Sequence, residues 1–282
     1  MVIDAHQHFW NYDPVRDSWI DESMQVIRKD FLPKDLEPIL KANGVDGCIA
    51  VQADQSEQET KFLLQCAEKN PFIKGVVGWL DLRANNVEER IDYFSKNKLF
   101  KGVRHIVQAE SDPDFMLKPN FLNGIKALEQ TGLVYDILIH QNQLEQAIAL
   151  VNKCPKQQFI LDHIAKPQIS EGLNPIWEKN MRLLAAYNNV ACKISGMVTE
   201  TQDFKFQKNE FTAFLDVVVD AFGVDRLLYG SDWPVCLLAS QYNEVLQIID
   251  NYFKNFSEED KFKIMGGNAT KLYKLNNNKE RN

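Results

Sequence analysis

The 282-residue chain lacks the features by which membrane, nucleic-acid-binding and disulfide-stabilised proteins are recognised. No apolar run approaches the ~20 residues needed to cross a bilayer. The 39 acidic residues outnumber the 32 basic ones, and the resulting net charge of −7 argues against binding to a phosphate backbone. The five cysteines form no CxxC pair and are odd in number, which argues against a disulfide framework.

The N-terminal segment also lacks the pattern of a secretory signal peptide. Asp4 stands where such a peptide has a basic segment followed by an apolar stretch. Hydrophobic residues make up 45% of the chain and charged residues 25%, which is ordinary for a globular protein and excludes a mainly disordered one. We therefore expect a cytoplasmic protein that acts on a small molecule, with no nucleic acid or membrane among its partners. The sequence leaves open whether it forms a homo-oligomer.

Short apolar runs alternate with longer amphipathic stretches, as in βα units around a parallel sheet. The eight predicted strands cover residues 2–9, 45–53, 73–82, 101–107, 133–140, 158–165, 190–196 and 226–231. One predicted helix begins at Pro33. The others cover residues 60–70, 120–131, 142–153, 175–187, 208–222 and 240–254. Eight such units predict an α/β protein, a single-domain (β/α)8 TIM barrel over residues 1–275, followed by a polar C-terminal tail at 276–282.

An open, doubly wound sheet is the competing arrangement. It would have a glycine-rich turn after the first strand, but residues 6–10 read His-Gln-His-Phe-Trp. The barrel is therefore favoured. Two long connections, 108–119 and 197–207, follow strands four and seven, on the barrel face where loops shape substrate pockets. We expect these loops, with Trp19 and Phe31 near the mouth, to set specificity.

Histidines are few, and all of them lie in comparable places. Each is at or near the C-terminal end of a predicted strand: His6, His8, His105, His140 and His163. Asp232 occupies the matching position on strand eight. Active sites of barrels are built at that end of the strands. A lone histidine is usually a surface or core residue, but five at strand ends favour a shared site.

Imidazoles and a carboxylate can perform two kinds of chemistry here. They can hold a divalent cation that polarises a carbonyl and lowers the pKa of bound water. Without a metal, the carboxylate can act as a general base while histidine or arginine stabilises an oxyanion. Alternation predicts that Asp4 shares a face with His6 and His8, either orienting an imidazole or serving as a buried structural carboxylate. It also predicts that only one of Arg104 and His105 points into the barrel.

Sequence motifs in a fixed order carry a resemblance to a known family. They are MVIDAHQHFW, DFLPKDLEPIL, NGVDGCIAVQA, GVVGWLDL, FKGVRHIVQAESDPDFML, LVYDILI, QFILDHIAKP, CKISGMVTE and RLLYGSDWPV, between residues 1 and 235. Together they resemble the amidohydrolase superfamily and, within it, the sugar-lactone hydrolases of the L-fuconolactonase and L-rhamnonolactonase type. The resemblance implies a barrel hydrolase that opens the lactone ring of a sugar acid with a carboxylate-activated water.

The resemblance also implies roles for individual residues. Asp232 would be the catalytic base, and His163 would bind the substrate or polarise its carbonyl. Arg104 and His105 would contact substrate hydroxyls or the ring oxygen.

Further candidates come from the same motifs. Trp10 and Trp233 would line the substrate pocket, with Trp79 either beside them or in the aromatic core. Glu200 is either a carboxylate that contacts substrate and water or a solvated loop acid.

The resemblance leaves the need for a metal open. His6, His8 and Asp232 would hold a divalent cation, zinc first of all, if one is bound, but the lactonase branch includes members that need no cofactor. Metal-dependent amidohydrolases use a histidine ending strand five, whereas the lactonase branch usually does not, so His140 need not belong to the site. Two alternatives are a metal-dependent amidohydrolase or decarboxylase on the same barrel, and a barrel that binds sugar acids without catalysis.

Overall fold

The structure of the protein, a computed structural model, describes residues 1–275. Eight strands are hydrogen-bonded in chain order, each parallel to the next, which confirms the predicted (β/α)8 barrel. They are β1 Ile3–Gln7, β2 Gly47–Val51, β3 Ile73–Gly78, β4 Phe100–Ile106, β5 Val134–Leu138, β6 Phe159–Leu161, β7 Val190–Ile194 and β8 Leu227–Tyr229. The polar tail predicted at residues 276–282 lies outside the described residues.

Helices surround the strands and connect them. They are α1 Pro33–Ala42, α2 Glu57–Lys69, α3 Val87–Ser95, α4 Pro119–Leu128, α5 Leu144–Lys153, α6 Pro175–Ala185, α7 Thr212–Phe222, α8 Tyr242–Phe253, α9 Glu258–Phe262 and α10 Asn268–Leu272. Proline opens α1, α4 and α6, where its fixed φ suits the first helical turn and its missing N–H is no loss. Among residues 1–275, no helix is both long enough and apolar enough to span a membrane.

Hydrogen bonds beyond the end of β8 close the barrel. The backbone N–H of Asp232 donates to the carbonyl of His6 over 2.8 Å, and that of His8 donates to the carbonyl of Trp233 over 2.7 Å. The lower interior is filled by apolar side chains such as Ile3, Val77 and Ile160, which pack against Tyr273 just after α10. The polar groups inside the barrel therefore lie above this apolar layer, between the middle and the carboxyl ends of the strands.

A bulge in β1 changes which side chains face inward. Asp4 pairs with Cys48 and Gln7 with Ala50, so β1 contains one residue more than β2 over this stretch. Ala5 packs inside the barrel. The Asp4 carboxylate instead accepts hydrogen bonds from the Ser231 hydroxyl at 2.6 Å and the Tyr242 hydroxyl at 3.1 Å. The prediction that Asp4 shares a face with His6 and His8 is thus wrong, because the bulge reverses the alternation. Asp4 is a buried structural carboxylate, and burial raises its pKa to about 6.

Candidate active site

Three imidazoles surround one carboxylate at the upper end of the barrel. Asp232 Oδ1 lies 3.3 Å from His8 Nε2, 3.7 Å from His6 Nε2 and 3.9 Å from His163 Nε2. All four side chains are buried. The structure therefore brings together four predicted residues from the ends of β1, β6 and β8.

Neighbouring groups fix the orientation of two of these rings. His8 Nδ1 lies 2.8 Å from the carbonyl oxygen of Val51, which can only accept, so His8 donates a proton from Nδ1 to this carbonyl, and its Nε2 is turned toward Asp232. His163 Nδ1 lies 2.9 Å from the Ser195 hydroxyl oxygen. These contacts hold the rings in place before any substrate binds.

The chain at residues 163–166 does not continue as a strand. The predicted strand over residues 158–165 ends at Leu161, and His163 to Lys166 all have positive φ, between 47° and 62°. Such a run is costly for residues with a Cβ, above all for the β-branched Ile164. Trp177 on α6 donates to the Ile164 carbonyl over 2.9 Å and helps to hold the turn. The result is that His163 projects into the barrel mouth and not along the wall.

Gly196 is required by the position of His163. Its φ is 65°, and a Cβ at this residue would lie 2.4 Å from His163 Nδ1. A side chain there would therefore be strained by the backbone and would also displace the imidazole.

The electrostatics of the cluster keep the carboxylate ionised and His163 neutral. Burial by itself raises the pKa of Asp232, but His163, the hydrogen bond with His8 and the nearby His6 outweigh it and bring the pKa below its usual range. Burial lowers the pKa of His163 to about 4, although the Asp232 charge opposes this. Near neutral pH the site thus presents a carboxylate beside a neutral imidazole.

Beneath the histidines lies a buried network of charges that sequence reasoning missed in part. Arg104 Nη1 donates to Asp162 Oδ2 over 3.1 Å, and Lys193 Nζ lies 2.9 Å from Asp162 Oδ1 and in contact with Asp136. Burial opposes the charge on Asp162, but Lys193 and His6 bring the pKa of Asp162 well below its ordinary value. Two carboxylates and two cations therefore balance one another inside the barrel.

A signal for this network was present in the sequence. Asp136 interrupts the apolar run LVYDILI and Lys193 interrupts CKIS. Parallel strands covered on both faces are usually almost wholly apolar, and charged side chains are rarely fully buried unless they are paired. A charge in the middle of such a run therefore indicates a buried partner.

A cavity of about 250 Å³ opens above the cluster. Its polar lining includes Arg104, Lys166 and Gln108, together with His8, His163 and Asp232. Its apolar lining is Trp10, Trp19, Ala53, Ile106, Ala109, Leu138 and Val235. Loop 108–119 contributes Gln108 and Ala109, whereas loop 197–207, all of it described, contributes no lining residue. The expectation that both loops shape the pocket thus holds for one of them.

Adjacent residues of β4 face in opposite directions. Arg104 points into the barrel and lines the cavity. His105 points outward, stacked on Phe115 with ring centroids 4.7 Å apart, and its Nε2 lies 2.7 Å from Glu110 Oε1. Trp79 Nε1 donates to the other nitrogen of His105 over 3.2 Å. His105 and Trp79 thus belong to the layer between strands and helices, because the pleat gives one of two neighbouring residues to each face.

Other predicted site residues also lie away from the cavity lining. Trp233 is buried against Phe31, with ring centroids 5.2 Å apart. Glu200 forms an ion pair of 3.3 Å with Lys166 and reaches the cavity only through that lysine. His140 is exposed beyond the end of β5, where Leu138 holds the last inward position and lines the cavity.

The residues present fit a divalent cation. His6, His8 and Asp232 offer two imidazole nitrogens and a carboxylate oxygen within a small space, a ligand set that zinc accepts. The two Nε2 atoms are 3.2 Å apart. Outside this trio, Asp162 lies 3.3 Å from His6 Nδ1, as a carboxylate often does behind a metal-binding histidine.

Comparison with known proteins identifies the family that the chain resembles. A family model described as Amidohydrolase matches residues 3–275. The chain is 37% identical to an L-fucono-1,5-lactonase of Burkholderia multivorans, over 97% of this chain and 96% of that protein. It is 33% identical to an L-fucono-1,5-lactonase of Burkholderia ambifaria, over 97% and 95% respectively. A crystal structure of an amidohydrolase from Burkholderia multivorans with bound zinc is 36% identical, with a TM-score of 0.94 over 98% of this chain and 100% of that one.

Proposed function

The chain belongs to the amidohydrolase family, and from this premise we propose that it is a lactonase that hydrolyses the lactone of a sugar acid. The relatives that are at least 33% identical over nearly the whole chain act, by their names, on L-fucono-1,5-lactone. The substrate we propose is therefore a lactone of this kind.

One observation carries the proposal: an ionised carboxylate lies among three imidazoles at the floor of a cavity. Opening a lactone requires a water made nucleophilic and a carbonyl oxygen that can accept negative charge. Asp232 takes a proton from water as the water oxygen bonds to the lactone carbonyl carbon. His163 and Arg104, which line the same cavity, are the donors we propose for the oxyanion, and each such donor commonly contributes about 3 kcal/mol.

The second half of the reaction uses the same carboxylate. When the tetrahedral carbon collapses, its bond to the ring oxygen breaks and that oxygen must acquire a proton. Asp232 returns the proton that it took from water, and the product is the open hydroxy acid. No serine nucleophile is needed.

The cavity lining supports a small polyhydroxylated substrate. Lys166 and Gln108 offer hydrogen bonds to hydroxyl groups, and Trp10 and Trp19 offer aromatic faces to ring carbons. The proposed substrate contacts are therefore drawn from residues that line the cavity. His105, Trp233 and Glu200 are left out, since each packs elsewhere.

We also propose that His6, His8 and Asp232 can hold a divalent cation, with zinc favoured by the donor set. When bound, such a cation would polarise a carbonyl and lower the pKa of water. Two further proposals come from the sequence: a cytoplasmic location, and catalysis that does not depend on nucleic acid or membrane partners.

A pH-indicator assay with L-fucono-1,5-lactone tests the function. The purified protein is assayed untreated, after treatment with a chelator, and after zinc is added back. Acid release that survives chelation supports hydrolysis by Asp232 without a metal. Release that is lost and returns with zinc makes the cation part of the reaction.

Controls separate the remaining outcomes. L-rhamnono-1,4-lactone tests whether the site accepts a different ring size and stereochemistry. No release from either lactone in any arm contradicts the proposal, and the metal-dependent decarboxylase alternative is then tested with the zinc-loaded protein.

A further inference from the structure

Strand β3 ends earlier than its neighbour β4. The two strands pair from Val76 with Phe100 to Gly78 with Val103, whereas β4 continues to Ile106 and stays paired with β5 on its other side. Within residues 1–275, the last three residues of β4 thus have no strand partner on the side of β3. Backbone groups on this edge would be costly if they stayed without hydrogen bonds.

Two glutamines that follow β2 bond to this edge in place of a strand. Gln52 comes directly after β2 and is fully buried, and its Nε2 donates to the carbonyl oxygen of Arg104 over 3.2 Å. Gln55 Oε1 accepts a hydrogen bond from the backbone N–H of Ile106 over 2.8 Å. Arg104 and Ile106 are both residues that line the cavity. The two glutamines therefore support the part of β4 that carries cavity side chains.

Gln52 also bonds to the other end of Arg104. Its carbonyl oxygen accepts a hydrogen bond from Arg104 Nη2, while Arg104 Nη1 donates to Asp162 Oδ2 over 3.1 Å. Gln52 is itself anchored, since its backbone N–H donates to the carbonyl oxygen of Val77 over 2.8 Å. One residue thus holds both the main chain and the guanidinium of Arg104. A donor on a long, flexible side chain stabilises an oxyanion well only when its N–H groups are held in place beforehand.

We infer that Gln52 is a positioning residue for Arg104 and that Gln55 supports it. Neither glutamine is among the described residues that line the cavity, so both act through β4 and not by touching a substrate. The side chain of Gln52 keeps the end of β4, and with it the guanidinium of Arg104, in one place beside the cavity. The effect of this restraint on hydrolysis rests on the proposed function, whereas the restraint itself does not.

A double-mutant cycle tests whether Gln52 acts through Arg104. Gln52→Met keeps the length of the side chain and removes the amide donor. We expect it to lower kcat/KM for L-fucono-1,5-lactone about tenfold in the wild-type background, because a small displacement of a catalytic donor is costly. In the Arg104→Met background the same change should lower kcat/KM less than about twofold. No loss in the wild-type background, or an equal loss in both backgrounds, overturns the inference.

The matched control is Gln157→Met. Gln157 is also buried, and its Nε2 donates to the carbonyl oxygen of Leu133 over 2.9 Å, just before β5 at the opposite end of the barrel. Gln52→Met and Gln157→Met should lower the midpoint of thermal unfolding by a similar few degrees, but only Gln52→Met should lower kcat/KM. A matching loss of kcat/KM in Gln157→Met would show that lost stability alone explains the effect, and it would overturn the inference.

Hydrogen exchange at the Ile106 amide tests the part of Gln55 without any substrate. Gln55→Glu keeps a side-chain oxygen that can accept from this N–H, whereas Gln55→Met removes it. We expect the Ile106 amide to exchange at least about tenfold faster in Gln55→Met, and at nearly the wild-type rate in Gln55→Glu. Equal rates in the two variants would contradict the support that Gln55 gives to β4.

The guanidinium signals of Arg104 measure the restraint directly. In protein labelled with ¹⁵N-arginine, a guanidinium held in place shows separate signals for its two Nη groups, and Arg104→Met identifies those of Arg104. We expect separate signals in the wild type and in Gln157→Met, and merged signals in Gln52→Met. Unchanged signals in Gln52→Met overturn the inference, whatever the activity. If the signals merge as expected but the wild-type protein opens no lactone, the proposed function alone is contradicted.

Discussion

On one side of the cavity, the ends of β1, β6 and β8 present three imidazoles and the Asp232 carboxylate. On the other side, the ends of β4 and β5 present Ile106 and Leu138. The backbone differs in the same way. β4 and β5 pair in unbroken register from Gly102 with Val134 to Ile106 with Leu138.

The polar side is irregular throughout. β1 carries a bulge, residues 163–166 form a left-handed turn, and Asp232 has a φ of 58°. Regular pairing offers only alternate residues to the interior, whereas bulges and left-handed residues redirect individual side chains. The irregular segments therefore place the three imidazoles and the Asp232 carboxylate, whereas the regular pair supplies the apolar side chains of Ile106 and Leu138 together with Arg104.

Neutralising Asp232 should have the largest effect among changes that test this contrast. Asp232→Asn removes the proposed base, and we expect kcat for L-fucono-1,5-lactone to fall roughly 10³-fold. The initial rate of acid release measures it. Glu110→Gln is the matched change on the β4 side, where the carboxylate bonds His105 outside the cavity, and it should alter kcat less than about threefold. Equal losses in the two variants would contradict the division into two sides.

The neighbours Arg104 and His105 give a second contrast within one strand. Arg104→Met removes the inward cation beside the cavity, and we expect kcat/KM to fall roughly 10²-fold. His105→Phe keeps the outward ring stacked on Phe115 but loses the hydrogen bonds with Glu110 and Trp79. It should reduce the free energy of unfolding by about 1 kcal/mol with little change in kcat/KM. If kcat/KM falls as far in His105→Phe as in Arg104→Met, His105 belongs to the active site after all.

Substitutions at two glycines with positive φ distinguish the effect of backbone strain from the effect of displacing His163. Gly196→Ala places a Cβ 2.4 Å from His163 Nδ1, whereas a Cβ at Gly172 meets nothing within 4 Å. Both variants should lose about 1 kcal/mol of unfolding free energy through the backbone. Only Gly196→Ala should also lose kcat, by roughly tenfold or more. Thermal unfolding and steady-state rates measure the two effects, and equal kcat values for both variants would contradict the role assigned to Gly196.

The smallest expected effect is that of pH. Burial lowers the pKa of His163 to about 4, so the ring stays neutral as the pH falls through the ordinary histidine value near 6.5. The pKa of Asp232 is also lowered, so its carboxylate stays ionised. We expect kcat/KM to be flat from about pH 5.5 to 8 and to fall only below about pH 5, as His163 gains a proton. An acidic limb centred near the ordinary histidine value would show that His163 is solvated.

The sequence by itself determined the fold and the main cluster. The alternation of apolar runs with amphipathic stretches is a local property of the chain, and it predicted all eight strands and their parallel order. Active groups of a barrel lie at the carboxyl ends of its strands. Position along the chain was therefore enough to bring His6, His8, His163 and Asp232 together.

The tertiary structure decided which way individual side chains point and which partners they have. Period-two alternation does not say which of Arg104 and His105 faces inward, and the bulge in β1 reversed the prediction for Asp4. The contact between Lys193 and Asp136 joins residues 57 positions apart, on strands that are not neighbours. Closure of the barrel brings these two residues together. Their pairing then matters, because an unpartnered charge costs far more free energy when it is buried than it does in water.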